Sequence, residues 1–98
     1  MKKKVLIIGG SGFIGHNLAI YLNNRNFEVT VVDSLGVNNF LSLKKQKIQN
    51  KKFYLQTLNQ RQDLLKKNNI NLIIEDARNY PSVTRIIEKF KPNYLIHL

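Results

Sequence analysis

The sequence predicts an α/β fold, a doubly wound parallel sheet truncated after about four strands in the order 3-2-1-4. Three observations carry that expectation. Short apolar runs rich in β-branched residues alternate with segments whose apolar residues recur at helical spacing. The first run ends in a glycine-rich stretch, GGSGFIG at 9 to 15, which opens directly into a helical pattern. An acid, Asp33, stands at the end of the second run. Strand, tight turn, helix and strand within about thirty residues make one βαβ unit. Right-handed crossovers then give the strand order.

The elements follow in chain order. Val5 to Ile8 is apolar throughout, the pattern of a strand buried on both faces. Phe13, Ile14, Leu18, Tyr21 and Leu22 recur at helical spacing, so 13 to 24 is a helix that ends in Asn23-Asn24-Arg25-Asn26. Phe27 to Val32 is the second strand. Residues 34 to 52 read as a loop followed by a short helix or an irregular excursion. Tyr54, Leu55, Leu58, Leu64 and Leu65 support a helix over 53 to 67, closed by Asn68 and Asn69. Ile70 to Glu75 is the third strand. Pro81 fits a first helical turn, where its missing N–H costs nothing. Val83, Ile86, Ile87 and Phe90 give that helix an apolar stripe, Lys91-Pro92 ends it, and Tyr94 to Ile96 begins the fourth strand.

Composition narrows the function classes. The 98 residues suffice for one small domain, and the absence of cysteine removes disulfides and cysteine-based metal sites. The start MKKKVLIIGG has lysines before an apolar run, but glycine interrupts that run after Ile8. It is too short for a signal core or a membrane span, and a soluble, cytoplasmic protein is expected. The formal charge is +10, yet twelve of the sixteen basic residues are lysine, in a chain also rich in asparagine and isoleucine. That is compositional bias, and no recognition motif accompanies it, so no specific nucleic-acid partner is expected. His16 and His97 are the only histidines and have no partner that would make a metal site.

The glycines and the first acid carry the chemistry. A strand feeding a helix through a tight turn leaves the first helical N–H groups pointing outward, a site for a pyrophosphate. Two glycine registers overlap: Gly10, Gly12 and Gly15 spell G-x-G-x-x-G, while Gly9, Gly12 and Gly15 spell G-x-x-G-x-x-G. In the second, Gly9 turns the chain off the strand, Gly12 sits under the pyrophosphate and Gly15 lets the helix pack closely. Ser11, Phe13 and Ile14 offer backbone N–H groups. Asp33 lies 24 residues after Gly9, close to the spacing at which a carboxylate takes the adenosine ribose hydroxyls. The same charge repels a 2′-phosphate, and Ser34 rather than arginine follows it, so NAD is favoured over NADP.

With GGSGFIG at 9 to 15, VVDSL at 31 to 35, IIEDARN at 73 to 79 and PNYLIHL at 92 to 98, the chain resembles the amino-terminal part of the extended short-chain dehydrogenase/reductase family. Those are the NAD-dependent nucleotide-sugar epimerases and dehydratases. The resemblance implies a Rossmann-type fold in which 1 to 98 form the amino-terminal part of a single NAD(P)-binding domain, without the substrate-binding portion. It selects the register of Gly9, Gly12 and Gly15. It also implies adenine contacts at Asp76 and Ala77, giving cofactor contacts at Gly9, Gly12, Phe13, Ile14, Gly15, Asp33, Ser34, Asp76 and Ala77. The stretch from Gly36 to Asn69 is longer than the family's, and Asn93 stands where the family often has aspartate.

Family chemistry uses a tyrosine with a lysine four positions on, the cation acidifying the phenol while hydride passes to NAD. Here Tyr21 leads to Arg25, Tyr54 to Leu58, Tyr80 to Thr84 and Tyr94 to Leu98. No catalytic residue is therefore assigned. The chain alone is expected to hold NAD without turning over a nucleotide sugar; a non-catalytic NAD-binding or partner-binding module is the alternative. A flavin enzyme using the Gly10 register fits Asp33 but not Asp76. An unpaired edge on the fourth strand predicts oligomers or aggregation.

Overall fold

The computed structural model describes residues 2–9, 11–34 and 51–98. Its elements are β1 (Lys4–Ile8), α1 (Phe13–Asn24), β2 (Glu28–Asp33), α2 (Lys51–Lys67), β3 (Asn71–Ile74), α3 (Tyr80–Phe90) and β4 (Tyr94–His97). The four strands form one parallel sheet in the order β3-β2-β1-β4, as the alternation predicted. The expected loop and short excursion fall mostly on residues 35–50, outside the described residues. Several bounds differ from the sequence reading by one or two residues: β1 begins at Lys4, β2 runs from Glu28 and includes Asp33, α2 begins at Lys51, and β3 is shorter at both ends, without Ile70 and Glu75.

Register explains the apolar runs. In β1, Val5 and Ile7 belong to one core cluster, with Ala19, Val29, Val31, Leu65 and Ile70, and α1 and α2 cover that face. Leu6 and Ile8 point to the other face and join Val32, beneath Val83, Ile86, Ile87 and Phe90 of α3. A strand in the middle of the sheet has no solvent face, so it cannot alternate with polar residues. Each such side chain contributes about 1.5–3 kcal/mol of burial. Successive right-handed crossovers with helices on one face carry the chain from β1 out to β3. The return to β4, beside β1, puts α3 on the opposite face.

The periodicity of α1 misleads at three positions. Phe13, Ile14 and Tyr21 are mostly exposed, and the packed side of the helix is Gly15, His16, Ala19 and the half-buried Leu18 and Leu22. Helical spacing finds a stripe, but the face of α1 turned to the core is the one carrying Gly15, Ala19 and Leu22, and Phe13, Ile14 and Tyr21 lie off it. Among the described residues no strand pairs with the outer edge of β4, where Tyr94, Leu95 and Leu98 are about half exposed.

Candidate functional site

The reversal of strand order between β1 and β4 opens a crevice at the carboxyl ends of the strands. The structure places a cleft of about 460 Å³ there, lined from all four strand ends: Ile8 and Gly9, Val32 to Ser34, Glu75 to Arg78, and His97 with Leu98. That volume falls among ordinary small-molecule sites, about 300–1,000 Å³. It gathers Gly9, Asp33, Ser34, Asp76 and Ala77. Gly12, Phe13, Ile14 and Gly15 do not line it; they form the amino end of α1, across the turn from Gly9.

Only one of these glycines is required by its dihedrals. Gly9 has φ +89°, and a Cβ there would lie 3.1 Å from the Leu98 carbonyl oxygen. Its N–H donates to the Val32 carbonyl at 2.7 Å, so the turn is wedged between the ends of β2 and β4. Gly9→Ala is expected to destabilise the fold by about 1–2 kcal/mol, the cost of a left-handed conformation for a residue with a Cβ. A lower thermal midpoint checks this; an unchanged one contradicts it. Gly12, the amino cap of α1, has φ −70° and ψ 179°, which any residue adopts. Its backbone conformation does not require glycine. Gly15 is buried within α1.

At that amino end Gly12 supplies no side-chain cap, and among the described residues nothing accepts the amide hydrogens of Phe13, Ile14 and Gly15. The Gly12 carbonyl is the better used group, accepting from the His16 amide and from His16 Nδ1–H, both at 2.9 Å. The His16 ring is buried and edge-on to Phe13. These bonds hold the first turn while its donors face outward, where the helix dipole favours an anion.

Asp33 is 3% exposed, and its Oδ2 accepts from the Ser11 amide at 3.1 Å. Its carbonyl oxygen accepts from the Glu75 amide at 3.1 Å, joining the ends of β2 and β3. The carboxylate thus ties the glycine turn to β2 and lines the cleft. Ser34 follows it on the cleft wall.

Asp76 is held by Arg78. Oδ1 accepts from the Arg78 amide at 2.8 Å and from Nε at 3.1 Å; Oδ2 accepts from Nε at 3.1 Å and from an Nη at 2.7 Å. The hydrogen bonds from Arg78 lower the Asp76 pKa to about 2. The pair's contribution is therefore present above the usual carboxylate value and disappears only as pH falls through about 2. Ala77 has no acceptor for its amide among the described residues. A carboxylate acceptor beside an outward amide donor matches the amino group and ring nitrogen along one edge of adenine.

Asp33, Glu75 and Asp76 face the cleft with Arg78 as its one cation among the described residues, although the whole chain carries +10. Such a wall suits hydroxyl and amino donors and rejects a further phosphate near Asp33. The sequence reading missed Glu75, Arg78 and Leu98 as cleft residues. An acid two positions before an arginine, just past a strand, was the available signal for the pair. His97 lies on the wall, exposed, at the end of β4. Among the described residues no cluster of metal-ligating side chains exists, and no helix is long and apolar enough to cross a membrane. Gly10, needed by the other glycine register, lies outside the described residues.

Comparison with known proteins agrees with this fold. The family model described as the NAD dependent epimerase/dehydratase family matches residues 5–98. The chain is 30% identical over 95 residues to the CDP-paratose 2-epimerase of Salmonella typhi, covering 97% of this chain and 23% of that protein. Among solved structures, WbmG of Bordetella bronchiseptica in complex with NAD superposes with a TM-score of 0.64 at 17% identity, over 100% of this chain and 25% of that one. The UDP-Glc/GlcNAc 4-epimerase of Campylobacter jejuni superposes with a TM-score of 0.65 at 23% identity, over 98% and 24% respectively. The chain thus spans about a quarter of the length of the relatives it matches.

Proposed function

Because the chain belongs to the NAD-dependent epimerase/dehydratase family, we propose that its residues form the NAD-binding amino-terminal portion of an enzyme acting on nucleotide sugars. The observation that carries this is the pairing of three outward amides at Phe13, Ile14 and Gly15 with a cleft walled by acceptors. The amides hold the pyrophosphate over Gly12. Asp33, with Ser34 beside it, takes the ribose hydroxyls, and Asp76 with the Ala77 amide reads the adenine edge. When bound, NAD supplies a transient hydride acceptor for the sugar carbon.

These residues bind and orient; they do not move the proton. No tyrosine among the 98 has a lysine four positions on. The relatives named for CDP-paratose and for UDP-glucose and its N-acetylamino counterpart support a nucleoside diphosphate sugar as the substrate class. Calorimetric titration of the chain with NAD and NADP tests the reading. NAD binds, and NADP binds at least about tenfold more weakly, since a phosphate several ångströms from the Asp33 carboxylate costs more than about 1.4 kcal/mol. No heat with NAD, or equal affinity for the two, overturns it.

The outer edge of β4 bears on association. Among the described residues the backbone groups on this edge pair with no strand, and flanked by Tyr94, Leu95 and Leu98 they are a template for another. The 98-residue chain is expected to self-associate at micromolar concentration. Sedimentation velocity showing only monomer would contradict that expectation.

A further inference from the structure

Arg78 differs from the other arginines near rings. Arg25 lies 4.7 Å from the Tyr21 ring centroid and Arg61 lies 5.8 Å from that of Phe13, so each guanidinium faces an aromatic ring of the chain. Arg78 faces none among the described residues, yet it has a partner in Asp76. Three of its N–H groups bond to the Asp76 carboxylate through the contacts given above. Its side chain nevertheless remains 89% exposed, and it stands on the cleft wall beside Ala77. A long cationic side chain normally keeps its rotamer freedom at such exposure. Here the ion pair with Asp76 orients a planar cation whose broad face stays uncovered, at the mouth of a cleft that suits a base.

We propose that Arg78 is the platform of the base subsite, its guanidinium lying against one face of the adenine ring while Asp76 and the Ala77 amide meet the ring's edge. The proposal rests on the NAD-binding reading and adds a residue to it. Guanidinium planes stack on aromatic faces, and the pairing with Asp76 sets the plane before the base arrives. A carboxylate has about four acceptor positions, and Arg78 brings three donors because its Nε–H is shared between the two oxygens, which leaves Asp76 one position for an amino group. The ion pair persists in the bound state, and the base does not displace it.

Arg78→Met retains the aliphatic reach and removes the planar cation, at a position exposed enough to leave the fold intact. Titrations of the full chain with NAD, adenosine and nicotinamide mononucleotide, followed by amide and arginine Nε–H resonances, separate the outcomes. The expected result is about three- to tenfold weaker binding of NAD and adenosine. Nicotinamide mononucleotide, which has no adenine, binds the variant as it binds the parent chain. In the parent chain the Arg78 Nε–H proton moves upfield as adenosine is added, through the purine ring current. Equal or tighter binding of adenosine by Arg78→Met, or a stationary Nε–H resonance at saturation, overturns the platform and leaves the NAD site standing. A parent chain that binds no NAD refutes the site and the platform together.

Discussion

Asp33→Ala reduces NAD affinity by at least about fiftyfold and lowers the stability of the chain. Two losses combine. The side chain is 3% exposed and accepts from the Ser11 amide, so its removal orphans a buried donor at about 1–3 kcal/mol. The ribose hydroxyls lose charge-assisted bonds worth about 1.5–3 kcal/mol each, and two such bonds exceed the fiftyfold stated. Asp33→Asn separates the parts. Its amide oxygen can still accept from Ser11, so the thermal midpoint stays near that of the parent chain. The charge is gone, so NAD weakens while the discrimination against NADP falls. Calorimetry alongside thermal melting reads both effects. Parent-like NAD affinity in Asp33→Ala removes the carboxylate from the site.

Gly12→Val abolishes NAD binding and leaves the fold in place. The backbone at Gly12, φ −70° and ψ 179°, is one that valine adopts readily, so no dihedral strain accompanies the change. Valine is a poorer amino cap than glycine, a penalty of about 1 kcal/mol that shifts the midpoint by a few degrees. The added branched side chain occupies the space over the first turn of α1, the proposed seat of the pyrophosphate beside the Phe13 and Ile14 amides. Affinity falls by more than about a hundredfold, because the displaced phosphate loses several charge-assisted bonds at once. A parent-like far-ultraviolet spectrum with no measurable NAD heat is the expected pair of results. Retained affinity would place the phosphates elsewhere. The contrast with Gly9→Ala is informative, since that change acts on the fold through a left-handed turn and Gly12→Val acts on the ligand.

What could be read from the sequence was what local pattern determines. The unbroken apolar character of Val5 to Ile8 gave a central strand because both faces of β1 are covered. The stripe of Val83, Ile86, Ile87 and Phe90 lies where α3 meets Leu6, Ile8 and Val32. Handedness then set the order β3-β2-β1-β4. Tertiary placement was less visible. Leu64 and Leu65 support α2 equally as sequence, but only Leu65 reaches the core and Leu64 is exposed. Phe13 and Ile14 match the helical period and still face solvent, because the period does not say which face of the helix the core covers. In the site, Asp33 was legible from spacing, whereas its bond to the Ser11 amide depends on how the turn folds back over β2. The Asp76–Arg78 pair needed the turn after β3, which no periodicity encodes.

The central claim is that the amino end of α1 receives the pyrophosphate of NAD. The measurement that tests it most directly is an amide-resolved nuclear magnetic resonance titration of the chain with NAD. The largest shifts are expected at Phe13, Ile14 and Gly15, with Ala77 following at the base end of the cleft. Saturable NAD binding that leaves the Phe13, Ile14 and Gly15 amides unmoved would contradict the account.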